Sequence, residues 1–205
     1  MVNSKQKGNA WENKIAKEVR EYFLPSPFFD NLTDKQKHAL LHRTPMSGGH
    51  VERGDLIIKP PIWESFPWFV ECRNRESWSW KNIMEKGFDS TILTWYREDA
   101  RDKCHPYDNN QKYYRYPLLL FTCNQQKTYF CAAEMDIYDV LADIENHGDM
   151  FLDLGPTLVM INSQFVIGLF DNLLMAHAVD VYAIQERLVE YLGDDDYYGT
   201  DSNSS

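Results

Sequence analysis

The chain has 205 residues, enough to bury a hydrophobic core within one domain, or one domain with an appendage. No apolar run reaches the roughly 20 residues that a membrane span requires. The opening MVNSKQKGNAWENK lacks the apolar stretch of a secretory signal, so a cytoplasmic protein is expected. The formal charge of −10 argues against nucleic acid only until it is divided along the chain. Residues 1–115 hold 19 Lys and Arg against 16 Asp and Glu, whereas residues 116–205 hold 2 against 15. A phosphate-facing surface is therefore permitted in the N-terminal part.

NAWENKIAKEVREYF spaces Trp11, Ile15, Val19, Tyr22 and Phe23 along one helical stripe, with Asn9 as a cap and Pro25 as a stop. Glu12 lies beside Trp11, at the edge of that stripe. FFDNLTDKQKHALLHRTP reads as a short helix running into an irregular segment, and MSGGHVERGD as a loop whose glycines allow close backbone approach. DLIIK and WFVEC read as strands joined by a Pro-rich turn. SWSWKNIMEKGFDSTILTWYREDARDK is helical in two pieces broken near Gly87.

YPLLLFTCN is a continuous apolar run, expected of a strand buried on both faces, and QKTYFCAA pairs with it as a hairpin. EMDIYDVLADIENHG is an amphipathic helix, TLVMI and FVIGLF a second hairpin, and AVDVYAIQERLVEYL a last helix. The closing GDDDYYGTDSNSS is acidic and without periodicity, as expected of a solvated tail. Cys72, Cys104, Cys123 and Cys131 form no CxxC pair and mostly sit in hydrophobic runs, which predicts buried thiols.

Within WFVECRN, alternation puts Glu71 and Arg73 on one face of a strand and Val70 and Cys72 on the other. An ion pair at a strand end would explain that pattern by itself. Asp55, at the mouth of the neighbouring strand, adds a second carboxylate, and Glu12 sits on a helix able to cover the sheet. Two strand carboxylates offering only oxygen suit a hard cation such as Mg²⁺, which can polarise a phosphodiester. Arg73 on the face of Glu71 would lie against the same phosphate and stabilise developing charge.

These elements resemble the PD-(D/E)XK nuclease superfamily, and within it the Holliday junction resolvase-like branch of archaea and phages. The resemblance rests on KGNAWENKIAKEV, with Lys7, Gly8 and Glu12, and on HRTPMSGGHVERGD, with Arg43, Ser47, Gly48 and Asp55. It continues through ECRNRESWSW, LTWYREDA and YPLLLFTCN, and covers residues 5–133. It implies an α/β fold with a restriction-endonuclease-like mixed sheet flanked by helices. Residues 1–133 would form the nuclease-like core; outside the resemblance, the pattern of 134–193 reads as a C-terminal helix–hairpin–helix elaboration packed on it, and 194–205 as a disordered acidic tail.

The implied activity is Mg²⁺-dependent hydrolysis of DNA phosphodiesters, with Mn²⁺ able to substitute, on branched DNA and by a homodimer. Asp55, Glu71 and the carbonyl of Cys72 would hold the metal, with Glu12 completing the shell and Arg73 stabilising the transition state. Lys7, Arg43, Ser47, Arg53 and Arg75 would meet DNA. The sequence departs from the pattern at Arg73, where the superfamily usually carries Lys. A guanidinium keeps its proton and cannot act as a base. Two alternatives share the fold: a catalytically decayed protein that binds DNA or a protein partner, and a restriction or repair nuclease acting on linear DNA. An acidic DNA mimic needs acids spread over one rigid face, whereas many of those present fall in the tail. MSGGH lacks the Gly-Lys-Ser/Thr of a phosphate loop, so no nucleotide cofactor is expected. Trp78 and Trp80 could stack on exposed bases, but core or sheet-edge packing suits them at least as well.

Overall fold

The computed structural model describes residues 4–24, 30, 32–44, 54–59, 62–76, 78–104, 116–123, 127–142, 159–161 and 164–177. The expected last helix and the acidic tail lie outside them. The apolar stripe forms helix α1, Ser4–Phe23, and buries Ile15, Ala16, Val19 and Phe23. Asn9 is not its cap. The helix starts earlier, and the Asn9 Oδ1 accepts instead from Arg43 at 3.4 Å.

Thr33 and Gln36 form a capping box at the start of α2, Asp34–Leu40, satisfying two amides that the first turn would otherwise leave open. The segment expected to be irregular after it is a strand, β1, Leu41–Arg43. It pairs antiparallel with β2, Leu56–Ile58, placing Arg43 opposite Leu56. The sequence alone concealed this because three residues are too few to show alternation. The connection onward contains a single helical turn, α3, Ile62–Ser65, before β3, Trp68–Asn74.

α4, Trp80–Lys86, ends at Gly87, whose φ of 51° lets the chain turn sharply, and a 3₁₀ turn follows to Asp89. The next helix begins as α5, Thr91–Trp95, and widens into a π-helical turn over Tyr96–Arg101, closed by the Asp102 amide donating to the Arg97 carbonyl at 3.0 Å. The hairpin β4, Tyr116–Thr122, and β5, Tyr129–Ala133, forms as the apolar run suggests. Helix α6, Glu134–Ala142, leads to the second hairpin, β6, Val159–Ile161, and β7, Phe165–Leu169. FVIGLF is not all strand: Phe170 opens helix α7, Phe170–Ala176, which had not been expected.

β3 to β7 make one mixed sheet in the order β3-β4-β5-β7-β6, with β3 and β4 parallel and the other pairs antiparallel. The second hairpin thus extends the same sheet through β5. The Gly168 backbone lies so close to Phe130 that a Cβ would sit 2.7 Å from its ring. Each face carries its own core. Val70, Cys72, Leu118, Leu120, Phe130 and Val166 pack under α1 and α7. Leu119, Phe121, Cys131 and Ile167 pack under α4, α5 and the π-helical turn. Two covered faces explain why PLLLF is continuously apolar. Trp78 belongs to the second core, edge-on to Phe121 and Tyr129, and its indole donates to the Thr122 carbonyl at 3.3 Å. All four cysteines are free thiols. Among the described residues no helix is long and apolar enough to cross a membrane.

Candidate active site at the end of β3

Gly54 brings Asp55 onto the outer edge of β3, the end strand of its sheet. Its φ of 86° favours glycine, and a Cβ there would meet the Phe69 ring at 3.1 Å and the Val70 carbonyl at 3.2 Å. The Thr44 hydroxyl donates to the Gly54 carbonyl at 2.7 Å, and the Thr44 amide to the Asp55 carbonyl at 2.9 Å. Asp55 then bridges to β3 twice. Its amide donates to the Val70 carbonyl at 2.8 Å, and its Oδ2 accepts from the Cys72 amide at 2.7 Å. The expected adjacency of the two carboxylates therefore arises at an edge, through the amide and side chain of one residue, and β2 itself ladders with β1.

Glu71 and Arg73 lie opposite Leu119 and Phe121, on the sheet face covered by the π-helical turn. α1 packs on the other face, with Val70 and Cys72. Glu12 thus approaches the edge from the side opposite Glu71, with Asp55 between them. Its Oε2 accepts from Arg43 Nη1 at 3.3 Å, and both side chains are largely enclosed. Burial, and then the charge of Asp55, raises the Glu12 pKa against the pull of Arg43.

One nitrogen gathers the centre. Arg73 Nη1 donates to the Cys72 carbonyl at 2.9 Å and lies 3.4 Å from Glu71 Oε2 and 3.8 Å from Asp55 Oδ2. Three oxygens therefore face a single cationic nitrogen. Such an all-oxygen set also fits a hard divalent cation, provided the guanidinium gives up that place. The fit involves two carboxylates and a main-chain carbonyl: among the described residues no three His, Cys, Asp or Glu side chains are grouped to hold a metal. The Cys72 thiol points into the core, and burial followed by the surrounding carboxylates holds its pKa well above the usual range, so only its carbonyl is a donor to the site.

The electrostatics mark a site with too much buried negative charge. Burial, and then Asp55, pushes Glu71 up to about 7, while Lys103 and Arg73 pull the other way. Burial raises Asp55 too, although the Cys72 amide and then Arg73 oppose it. Carboxylates shifted upward by burial and by each other are a pattern common at functional sites.

Two residues of this cluster escaped the sequence reading. Asp99, on the π-helical turn, accepts Arg73 Nε and Nη2 on its Oδ2 at 2.8 and 2.6 Å, and its Oδ1 lies 3.2 Å from Lys103 Nζ. Lys103 in turn reaches Glu71 Oε2 at 3.4 Å. Burial alone would raise Asp99, but the Arg73 hydrogen bond and charge, and then Lys103, hold it below the usual carboxylate range. The four-residue spacing of Asp99 and Lys103 in REDARDK was the available signal. Of the expected DNA contacts, Arg43 is engaged by Glu12 and Asn9, and Arg75 is exposed just beyond β3. Ser47, Arg53 and the side chain of Lys7 lie outside the described residues.

A family model described as "Phage putative PDDEXK endonuclease" matches residues 3–151. The chain belongs to that family. This PDDEXK endonuclease family lies within the PD-(D/E)XK superfamily, and the match runs from α1 past α6, so Glu12, Asp55, Glu71 and Arg73 all fall inside it. The family's description is that of a nuclease, which implies DNA as the substrate. No curated protein matches the chain. No solved structure matches it either.

Proposed function

We propose that this family member is a divalent-metal-dependent endodeoxyribonuclease, using Mg²⁺ or in its place Mn²⁺, that cuts branched DNA of the Holliday junction type as a homodimer. The observation that carries metal dependence is the meeting of Asp55 Oδ2, Glu71 Oε2 and the Cys72 carbonyl around one nitrogen of Arg73. These three oxygens would hold the ion. When bound, it would supply Lewis-acid polarisation of the phosphodiester and a lower pKa for attacking water. Glu12, across the sheet edge, is suited to orienting that water from the side of α1. Arg73 stays charged throughout, so its part is to stabilise the developing phosphorane charge. Asp99 holds its Nε and Nη2 edge, so the planar group can present Nη1 to a phosphate only by pivoting about that edge.

Branched DNA is supported by the order of motifs from Lys7 through Asp55 to Glu71, which is that of the resolvase-like branch. Two symmetric incisions across a junction favour a two-fold dimer. Lys7, Arg43, Ser47, Arg53 and Arg75 are the proposed backbone contacts.

One observation favours a second reading. Arg73 Nη1 already sits where a cation would, and a guanidinium left there permanently would make the protein a DNA-binding relative without cleavage. A single assay separates the readings: four-way junction, flap and linear duplex DNA incubated with Mg²⁺, with Glu71→Ala alongside. Junction-selective cleavage lost in the variant supports the proposal. Equal cutting of linear duplex would assign a restriction- or repair-type enzyme. Binding without any cleavage would assign the decayed site.

A further inference from the structure

Two cations face the carboxylates at the end of β3, and they are held differently. The Arg73 side chain is only 22% exposed, with Asp99 on two of its nitrogens and the Cys72 carbonyl on the third. The Lys103 side chain is 45% exposed and arrives from the solvent side. Its ammonium has three donors, and the structure shows it against two carboxylates, Glu71 Oε2 and Asp99 Oδ1. A guanidinium tethered along its Asp99 edge can pivot there but has little room to follow a substrate. A compact charge on a flexible four-carbon stem can leave Glu71 without vacating a buried site.

Charge balance points the same way. When ionised, Asp55, Glu71 and Asp99 bring three negative charges against the two positive charges of Arg73 and Lys103. A divalent cation at the carboxylates would turn that deficit of one into a surplus of one, which a phosphodiester neutralises. Without Lys103 the surplus disappears. Asp99 keeps the amine near the site even when Glu71 is otherwise engaged.

We propose that Lys103 is a substrate-contacting residue of this site, its ammonium passing from Glu71 to a non-bridging oxygen of the scissile phosphate. The inference rests on the nuclease reading above and adds a catalytic cation that lies outside the Glu-Cys-Arg segment. The competing explanation is a half-exposed ion pair of little energetic consequence.

The test measures affinity for a labelled four-way junction and a linear duplex in a series of salt concentrations, with Ca²⁺ replacing Mg²⁺ so that the DNA stays intact. Mg²⁺-dependent cleavage is measured in parallel. Lys103→Ala and Lys103→Gln should each make the slope of log affinity against log salt shallower by about 1. Both should cut roughly 10²–10³-fold more slowly, the scale of one transition-state donor. Lys103→Arg should keep the wild-type slope and most of the cleavage, and all three should melt with the wild type. A shifted slope in a wild type that binds but does not cleave would keep the phosphate contact and remove the nuclease reading. An unchanged slope, a shifted slope with undiminished cleavage, or a wild type that binds no DNA would overturn the proposal.

Discussion

At the start of β3 the buried Trp68 indole donates to His177 Nε2 at 2.9 Å, and His177 Nδ1 lies 2.6 Å from the Leu173 carbonyl. Both ring nitrogens of His177 are matched only if Nδ1 carries the proton, so the imidazole is neutral. It packs among the rings of Phe23, Phe66 and Trp68, and burial brings its pKa down to about 4. At the other end of the same strand, Glu71 and Asp55 are as deeply buried but share two cations with Asp99. The first arrangement is neutral and closed, and it ties α7 to the sheet. The second keeps like charges together at a cost to stability, which a structural role does not require. Burial of a polar group therefore says little about function until its partners are counted.

The largest effect expected is on cleavage by Glu71→Ala, which should vanish together with Mg²⁺ binding, because two of the converging oxygens cannot hold the ion alone. Residual metal-dependent cutting would dissolve the contrast between the two ends. Arg73→Ala should slow cleavage roughly 10²–10³-fold, with Arg73→Lys keeping measurable activity. Metal affinity should not fall in either, since the guanidinium is a competitor for the oxygens and not a ligand.

Stability sharpens the same contrast. The folded state raises Glu71 from 4.5 to about 7, so its protonated form is favoured and folding gains from acidity across that window. Stability from this group is present at pH below 4.5 and lost as pH rises through 7. In chelator at pH 8, Glu71→Gln should exceed the wild type by roughly 3 kcal/mol in denaturant titration, with the difference closing near pH 4.5. Saturating Mg²⁺ should shrink the gap from the wild-type side.

His177 works with the opposite sign. Its folded pKa falls from 6.5 to about 4, so its contribution is full above 6.5 and lost as pH drops through 4. His177→Ala leaves the Trp68 N–H unmatched and should cost about 1–3 kcal/mol at neutral pH, less at pH 4.5. Cleavage per folded molecule should be unchanged. A loss of activity in folded His177→Ala would mean the closed end is not merely structural.

What the sequence disclosed about the fold follows from periodicity. The stripe of α1, the break at Gly87 and the doubly buried β4 each have a long or chemically marked signal. β1 and α7 were hidden because three residues cannot display a period and because Phe170 serves a strand pattern as readily as a helix. At the site, alternation put Glu71 and Arg73 on one face and the Gly-Asp pair flagged Asp55. That Glu12 and Glu71 approach the edge from opposite faces depends on which side α1 packs, a tertiary fact. Asp99 and Lys103 stayed invisible for the same reason. Their spacing is that of any helical ion pair until the π-helical turn is laid over the end of β3.

The central claim is that Asp55, Glu71 and the Cys72 carbonyl exchange Arg73 Nη1 for a divalent cation. Calorimetric titration of Mn²⁺ into the protein at pH 8 tests it most directly, because binding is read without any DNA. The account predicts one ion per chain for the wild type, no binding to Glu71→Ala, and tighter binding to Arg73→Ala, where the competing cation is gone. Absence of binding in the wild type, or binding that survives Glu71→Ala unchanged, would contradict it.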